Sequence, residues 1–204
     1  MSYWTQKDFD VFKKEGLEAR MQGLETQIRP KFHELGAQFS DELAAKLGHE
    51  MFPHVAKHAR RTVNPPKDSW VAFAPYKRGY KALPHFQIGL WESHVFIILA
   101  VIYEAPTKTA IADKLGKKMS LITSLPKDYV ISGNHMKPDA EAITKSTTAH
   151  YLQRLATIKK GELVIGRHLS VDEAATLSKE QFYTYVTDTF DELLPLYQKM
   201  TELN

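Results

Sequence analysis

Apolar positions recur at helical spacing at both ends of the chain and at strand spacing in its middle. Thr5, followed three residues on by Asp8, reads as a helix start, with Phe9 and Phe12 on one face until Gly16 ends the run. From Leu17 the positions Leu17, Met21, Leu24 and Ile28 share a helix face. Beyond Pro30, Phe32, Leu35, Phe39, Leu43 and Leu47 continue the series to Gly48. The pattern predicts two helices here, or one broken at Pro30.

The stretch from Phe52 to Arg61 separates well on a helical wheel, with Phe52, Val55, Ala56 and Ala59 on one face and His54, Lys57, His58 and Arg61 on the other. A short basic helix is favoured. An edge strand competes, since Thr62 and Val63 prefer strands and Asn64, Pro65 and Pro66 stop either element. Trp70–Ala74 is a strand candidate followed by a basic turn, residues 75–81. Phe86, Ile88 and Leu90 alternate with His85, Gln87 and Gly89, which predicts a strand with one buried face and one face free for polar groups. After a tight turn at Glu92 and Ser93, the apolar run Val95–Tyr103 predicts a central strand paired antiparallel with its predecessor.

Ile111, Leu115, Met119 and Ile122 outline a helix between Pro106 and Pro126, and Tyr129–Ser132 a strand before the loop GNHMKPD. Residues 147–155 fit helix or strand. Leu163–His168 reads as a strand. Ser170 with Glu173 and Ser178 with Gln181 form two capping boxes that open the last helices, with a kink expected at Pro195. Strands thus gather in the middle and helices at both ends, which argues for a single α+β domain over residues 1–204, with a mainly antiparallel sheet.

The absence of cysteine excludes disulfides, thiolate metal sites and cysteine catalysis, and fits a reducing, cytoplasmic setting. The longest apolar run is far too short to span a membrane, and no leader pattern opens the chain. Nothing in the sequence indicates a cofactor, and the oligomeric state is not legible.

The net charge is only +3, yet between His54 and Trp91 the cations Lys57, Arg60, Arg61, Lys67, Lys77, Arg78 and Lys81 face a single acid, Asp68. The positive charge is therefore concentrated in one part of the chain, where Tyr76 and Tyr80 interleave with it. Guanidinium groups suit phosphate or carboxylate, and Gly79 would let backbone amides approach an anion. The plainer alternative is that these charges solvate a surface or pair with acids of the terminal helices.

The segments AKHARRTVNPPKDSWVAF, KRGYKALPHFQIGLW and HMKPD, with LEARMQGLETQIRPKFHELG before them and RLATIKKGEL after, resemble the uncharacterised YktB-like family of small proteins from Gram-positive bacteria. The resemblance covers the whole chain. It implies an α+β fold and a bacterial cytosolic setting, and it brings no catalytic residue.

Phosphate-loop, dinucleotide and nucleophile-elbow motifs are absent. His54 and His58 have the spacing of two helical metal ligands, but Lys57 and Arg61 beside them would repel a cation, and no metal is assigned. His85 and His94 sit in paired strands as in two-histidine phosphoesterases. The positions two residues on hold Gln87 and Phe96 rather than hydroxyls, so that mechanism fails. Two classes stay open. The first is a binding protein for a phosphorylated small molecule or nucleic acid, with Lys57, Arg60, Arg61, Lys77, Arg78, Tyr80 and Lys81 converging on one concave surface and His85 at its edge. The second is an enzyme acting on an anionic substrate, with His58, His85 or His135 moving protons and Glu92 or Asp139 orienting one of them.

Overall fold

The computed structural model describes residues 1–202. Among them the strands form one antiparallel sheet of seven, in the order β1 (Phe52–Val55), β2 (Asp68–Ala74), β3 (His85–Trp91), β4 (His94–Val101), β7 (Leu163–Ser170), β5 (Tyr129–Ser132) and β6 (Glu141–Ala142). The chain folds as two compact units. The first comprises Met1–Arg78, Gln87–Phe96 and Leu169–Thr184; the second comprises Gly79–Phe86, Ile97–His168 and the chain from Tyr185 on.

In the first unit, α1 (Gln6–Asp10) starts where expected, after Thr5, and a capping box with Asp8 opens it. Asp8 accepts hydrogen bonds from the Thr5 amide at 2.8 Å and from the Thr5 hydroxyl at 2.9 Å. The same buried carboxylate takes an ion pair from Lys31 at 2.7 Å, which fixes α1 to the long helical run. That run is continuous where a break at Pro30 was one expectation. Helix α2 (Leu17–Gly23) passes through a π turn (Leu24–Ile28) into α3 (Arg29–Leu47). Pro30 has no N–H, and its ring crowds the carbonyl one turn earlier; a widened turn just before it accommodates both. Phe32, Leu35, Phe39 and Leu43 form the buried stripe of α3, and Gly48, at φ 75°, ends it in the left-handed conformation.

Phe52–Arg61 is not a helix. Strand β1 (Phe52–Val55) pairs antiparallel with β2 (Asp68–Ala74), Phe52 opposite Ala74 and Val55 opposite Val71. Tertiary pairing overrides the local helical pattern here: β2 offers an open ladder, and β1 lies at the sheet edge, where Pro53 can be accommodated. Helix α3 packs across both strands, with Gly36 so close to Pro53 that a Cβ would stand 3.0 Å from the proline ring.

Strands β3 (His85–Trp91) and β4 (His94–Val101) form the expected hairpin through Glu92 and Ser93, and both are buried along their whole length. The free polar face expected of β3 is therefore absent. His85 and Gln87 are buried, so the alternation places hydrogen-bonding groups inside the protein instead of at its surface.

In the second unit, the single helix expected between Pro106 and Pro126 divides at Gly116 into α4 (Lys108–Gly116) and α5 (Ser120–Thr123). Strand β5 (Tyr129–Ser132) pairs with the two-residue β6 (Glu141–Ala142) and, on its other side, with β7 (Leu163–Ser170). The ambiguous residues 147–155 lie in α6 (Lys145–Thr157). Thr144 and Thr147 cap it reciprocally, and Thr148, Leu152 and Leu155 are its buried face.

Both late capping boxes form, at Ser170 before α7 (Val171–Ala174) and at Ser178 before α8 (Lys179–Thr201). Pro195 lies inside α8 without ending it. Phe190 and Tyr197 of α8 stack against Phe86, ring centroids 4.9 and 5.0 Å away.

Candidate functional site

In the first unit, residues 56–67 leave β1 and return to β2 as an anchored loop. Arg29 donates to the Lys57 carbonyl at 2.6 Å, and Arg20 donates to the Pro66 carbonyl at 3.0 Å. His58, in a left-handed backbone conformation at φ 51°, sets its imidazole edge-on to Trp70 and within 3.1 Å of the Ser69 hydroxyl. Burial, then the charges of Arg61 and Arg29, push the His58 imidazole down to about 4, so the ring is neutral at pH 7. Around this anchored base, Lys57, Arg60 and Lys67 are exposed and Arg61 is half-buried.

The β1–β2 register decides what else can join them. The Ala56 amide donates to the Trp70 carbonyl, so residues 57–61 follow at the Asp68 end of β2. Lys77 and Arg78 follow its other end, with the Lys77 ammonium 5.3 Å from the Phe52 ring centroid. The ladder therefore holds Arg61 and Arg78 at opposite ends instead of bringing them together. The same register separates His54 from His58: His54 donates from Nε2 to the Tyr76 carbonyl at 2.9 Å, whereas His58 turns to Ser69.

Tyr80, Lys81 and His85 belong to the second unit. Tyr80 packs edge-on against the His85 ring at 5.0 Å, the Leu83 carbonyl lies 2.7 Å from His85 Nδ1, and Lys81 pairs with Glu104 at 3.5 Å. With a fully buried imidazole, His85 forms part of the core.

Of the histidines considered for proton transfer, His135 has the geometry for it. Its Nδ1 lies 2.8 and 2.9 Å from the two oxygens of Glu162, and its backbone amide donates to the same carboxylate at 2.8 Å. Glu162 is almost wholly buried and also accepts from the Tyr103 amide at 3.3 Å. Burial pushes this carboxyl up, but the His135 side chain and the two amides outweigh it and hold it below the usual range. A carboxylate on Nδ1 fixes the tautomer with the Nε2 lone pair available, which is the arrangement of a general base. The orienting acid is thus neither Glu92 nor Asp139. Its signal in the sequence was slight: one acid between the KKG turn and an apolar strand.

The chain matches, over residues 4–197, the model of a domain of unknown function, DUF1054. It is 56% identical over 197 residues to a UPF0637 protein of Lysinibacillus sphaericus, covering 95% of this chain and 93% of that one. A UPF0637 protein of Exiguobacterium sibiricum is 43% identical over 199 residues, with 98% of each chain covered. One from Staphylococcus aureus strain JH9 is 46% identical over 194 residues, covering 94% and 95%. The chain belongs to this uncharacterised family, as the resemblance read from the sequence implied. Among the described residues no helix is long and apolar enough to cross a membrane.

Proposed function

We propose that the protein is a cytoplasmic binding protein for a phosphate-bearing ligand, held by the basic loop of the first unit. The observation that carries this reading is the anchoring of that loop. Arg20 and Arg29 hold its backbone carbonyls, the His58 ring ties it to the Ser69 hydroxyl of β2, and Lys57, Arg60, Arg61 and Lys67 belong to the loop so held. Cations spaced over such a loop match the successive phosphates of a nucleic acid better than a single phosphate group. A preformed loop also loses less conformational freedom on binding than a mobile one.

Fluorescence anisotropy with a labelled single-stranded oligonucleotide, across a salt series, tests the reading. Arg60→Ala and Lys57→Ala should each weaken binding and reduce the slope of log K against log salt by about 0.7 per lost phosphate contact. Equal affinity and slope for wild type and both variants would refute it.

A second reading, an enzyme acting on an anionic substrate, is favoured by the His135 and Glu162 pair. Its check is the pH profile of any turnover found in a substrate screen, which His135→Gln should abolish and Arg60→Ala should leave unchanged.

A further inference from the structure

The loop that carries His135 also forms one wall of a pocket of about 360 Å³, closed on the other side by α6. Ser132 lines it from the end of β5, Asn134 and Lys137 from the loop, and His150, Tyr151 and Arg154 from the helix. Two acids, Asp139 and Glu141, also line it. We infer that this pocket binds a small molecule through a compact oxyanion, a carboxylate or a phosphate group, with the Arg154 guanidinium as its principal partner. The inference is independent of the basic loop in the first unit.

The walls are built rather than incidental. Gly133 lies flat against the Tyr151 ring, where a Cβ would stand 2.7 Å from two ring carbons, so only glycine lets the loop pass this close. The Asn134 side chain accepts the Met136 amide at 2.9 Å, and His135 is fastened to Glu162 by both its amide and its ring. On the helix side, Tyr151 donates its hydroxyl to Glu141 and packs edge-on against His150 at 5.2 Å. Burial, then Glu141, pushes the Tyr151 phenol up to about 12, so it keeps the proton it donates.

Charge decides the ligand. Glu141 is occupied by Tyr151, whereas the side chains of the half-buried Arg154 and the exposed Lys137 have no hydrogen bond or ion pair to any described residue. A half-buried guanidinium with its fork of donors unused is the geometry that a carboxylate or phosphate completes in bidentate fashion. The volume is at the lower end for ligand pockets, and the carboxylates of Asp139 and Glu141 would repel an extended polyanion, so the ligand is small.

The test is calorimetric titration of the full chain at low salt with inorganic phosphate in one arm and succinate in the other, which separates the two sources of the oxyanion. Binding in either arm is expected, with Arg154→Gln weakening it at least tenfold and Lys137→Gln weakening it less. Arg154→Gln should keep the wild-type circular dichroism and melting temperature, because that side chain holds no other part of the protein. The loss caused by Arg154→Gln should be the same in an Arg60→Gln background, so this site and the basic loop can fail separately. Wild-type binding of neither anion at tens of millimolar, or undiminished binding by both pocket variants, would overturn the inference.

Discussion

Glu162 shows how one residue can hold two distant parts of the chain. Its buried carboxylate accepts from the His135 ring and amide and from the Tyr103 amide, so replacing it leaves three donors facing a poorer acceptor. Glu162→Gln should cost about 2–4 kcal/mol in denaturant unfolding. Because its carboxyl is held below the unfolded value, its contribution is present above about pH 4.5 and is lost as pH falls through the folded value. In the variant, the acid limb of the stability curve should flatten. His58 acts in a higher window. Its ring stays neutral down to about pH 4, while the unfolded chain takes up a proton near 6.5. Stability from this group is therefore full above pH 6.5 and falls towards pH 4. Unfolding free energies measured across that range should decline less steeply in His58→Gln, and an unchanged slope would contradict the assignment.

At the level of elements, what was legible in the sequence was whatever local geometry decides. The boxes at Thr5, Ser170 and Ser178 formed because a hydroxyl and a side chain three residues on satisfy each other within one turn. Ser170→Ala should accordingly lower stability by about 1 kcal/mol, read from the shift in denaturation midpoint. The β3–β4 hairpin was legible for a similar reason, a two-residue turn between apolar runs. What partners decide was not legible. Phe52–Val55 carries a helical wheel but pairs with β2, and His85 alternates like a surface residue but is buried. The site suffered most from this. Arg60, Arg61, Lys77 and Arg78 are close in sequence, yet the register of β1 on β2 sends the two groups to opposite ends. Glu162, conversely, is distant in sequence from the residues it holds, and Arg154 from the loop residues that share its pocket. Gly166 gives a sharper test of packing at this scale. A Cβ there would stand 2.1 Å from the Ile97 carbonyl oxygen, a backbone atom that cannot yield, so Gly166→Ala should abolish soluble folded protein or cost at least about 3 kcal/mol. Near wild-type stability would show that the approach of β7 to β4 is looser than described.

For the whole molecule, the question is whether residues 1–204 unfold as one. Compact units can behave as separate domains, each with its own transition, when few elements pass between them. Here strands β3 and β4 each contribute residues to both units, and the sheet order runs through them without interruption. A strand whose residues are divided between two units cannot unfold in one of them and keep its own backbone conformation intact in the other. We therefore expect one cooperative transition. For a chain of this length the calorimetric enthalpy near 60 °C should be about 140 kcal/mol, and the van't Hoff enthalpy from the shape of the same transition should equal it. Independent units would instead give a van't Hoff value near half the calorimetric one, or two resolved peaks. Glu162→Gln discriminates further: in a cooperative molecule it lowers the single melting temperature, whereas with independent units it would shift only the transition of the second.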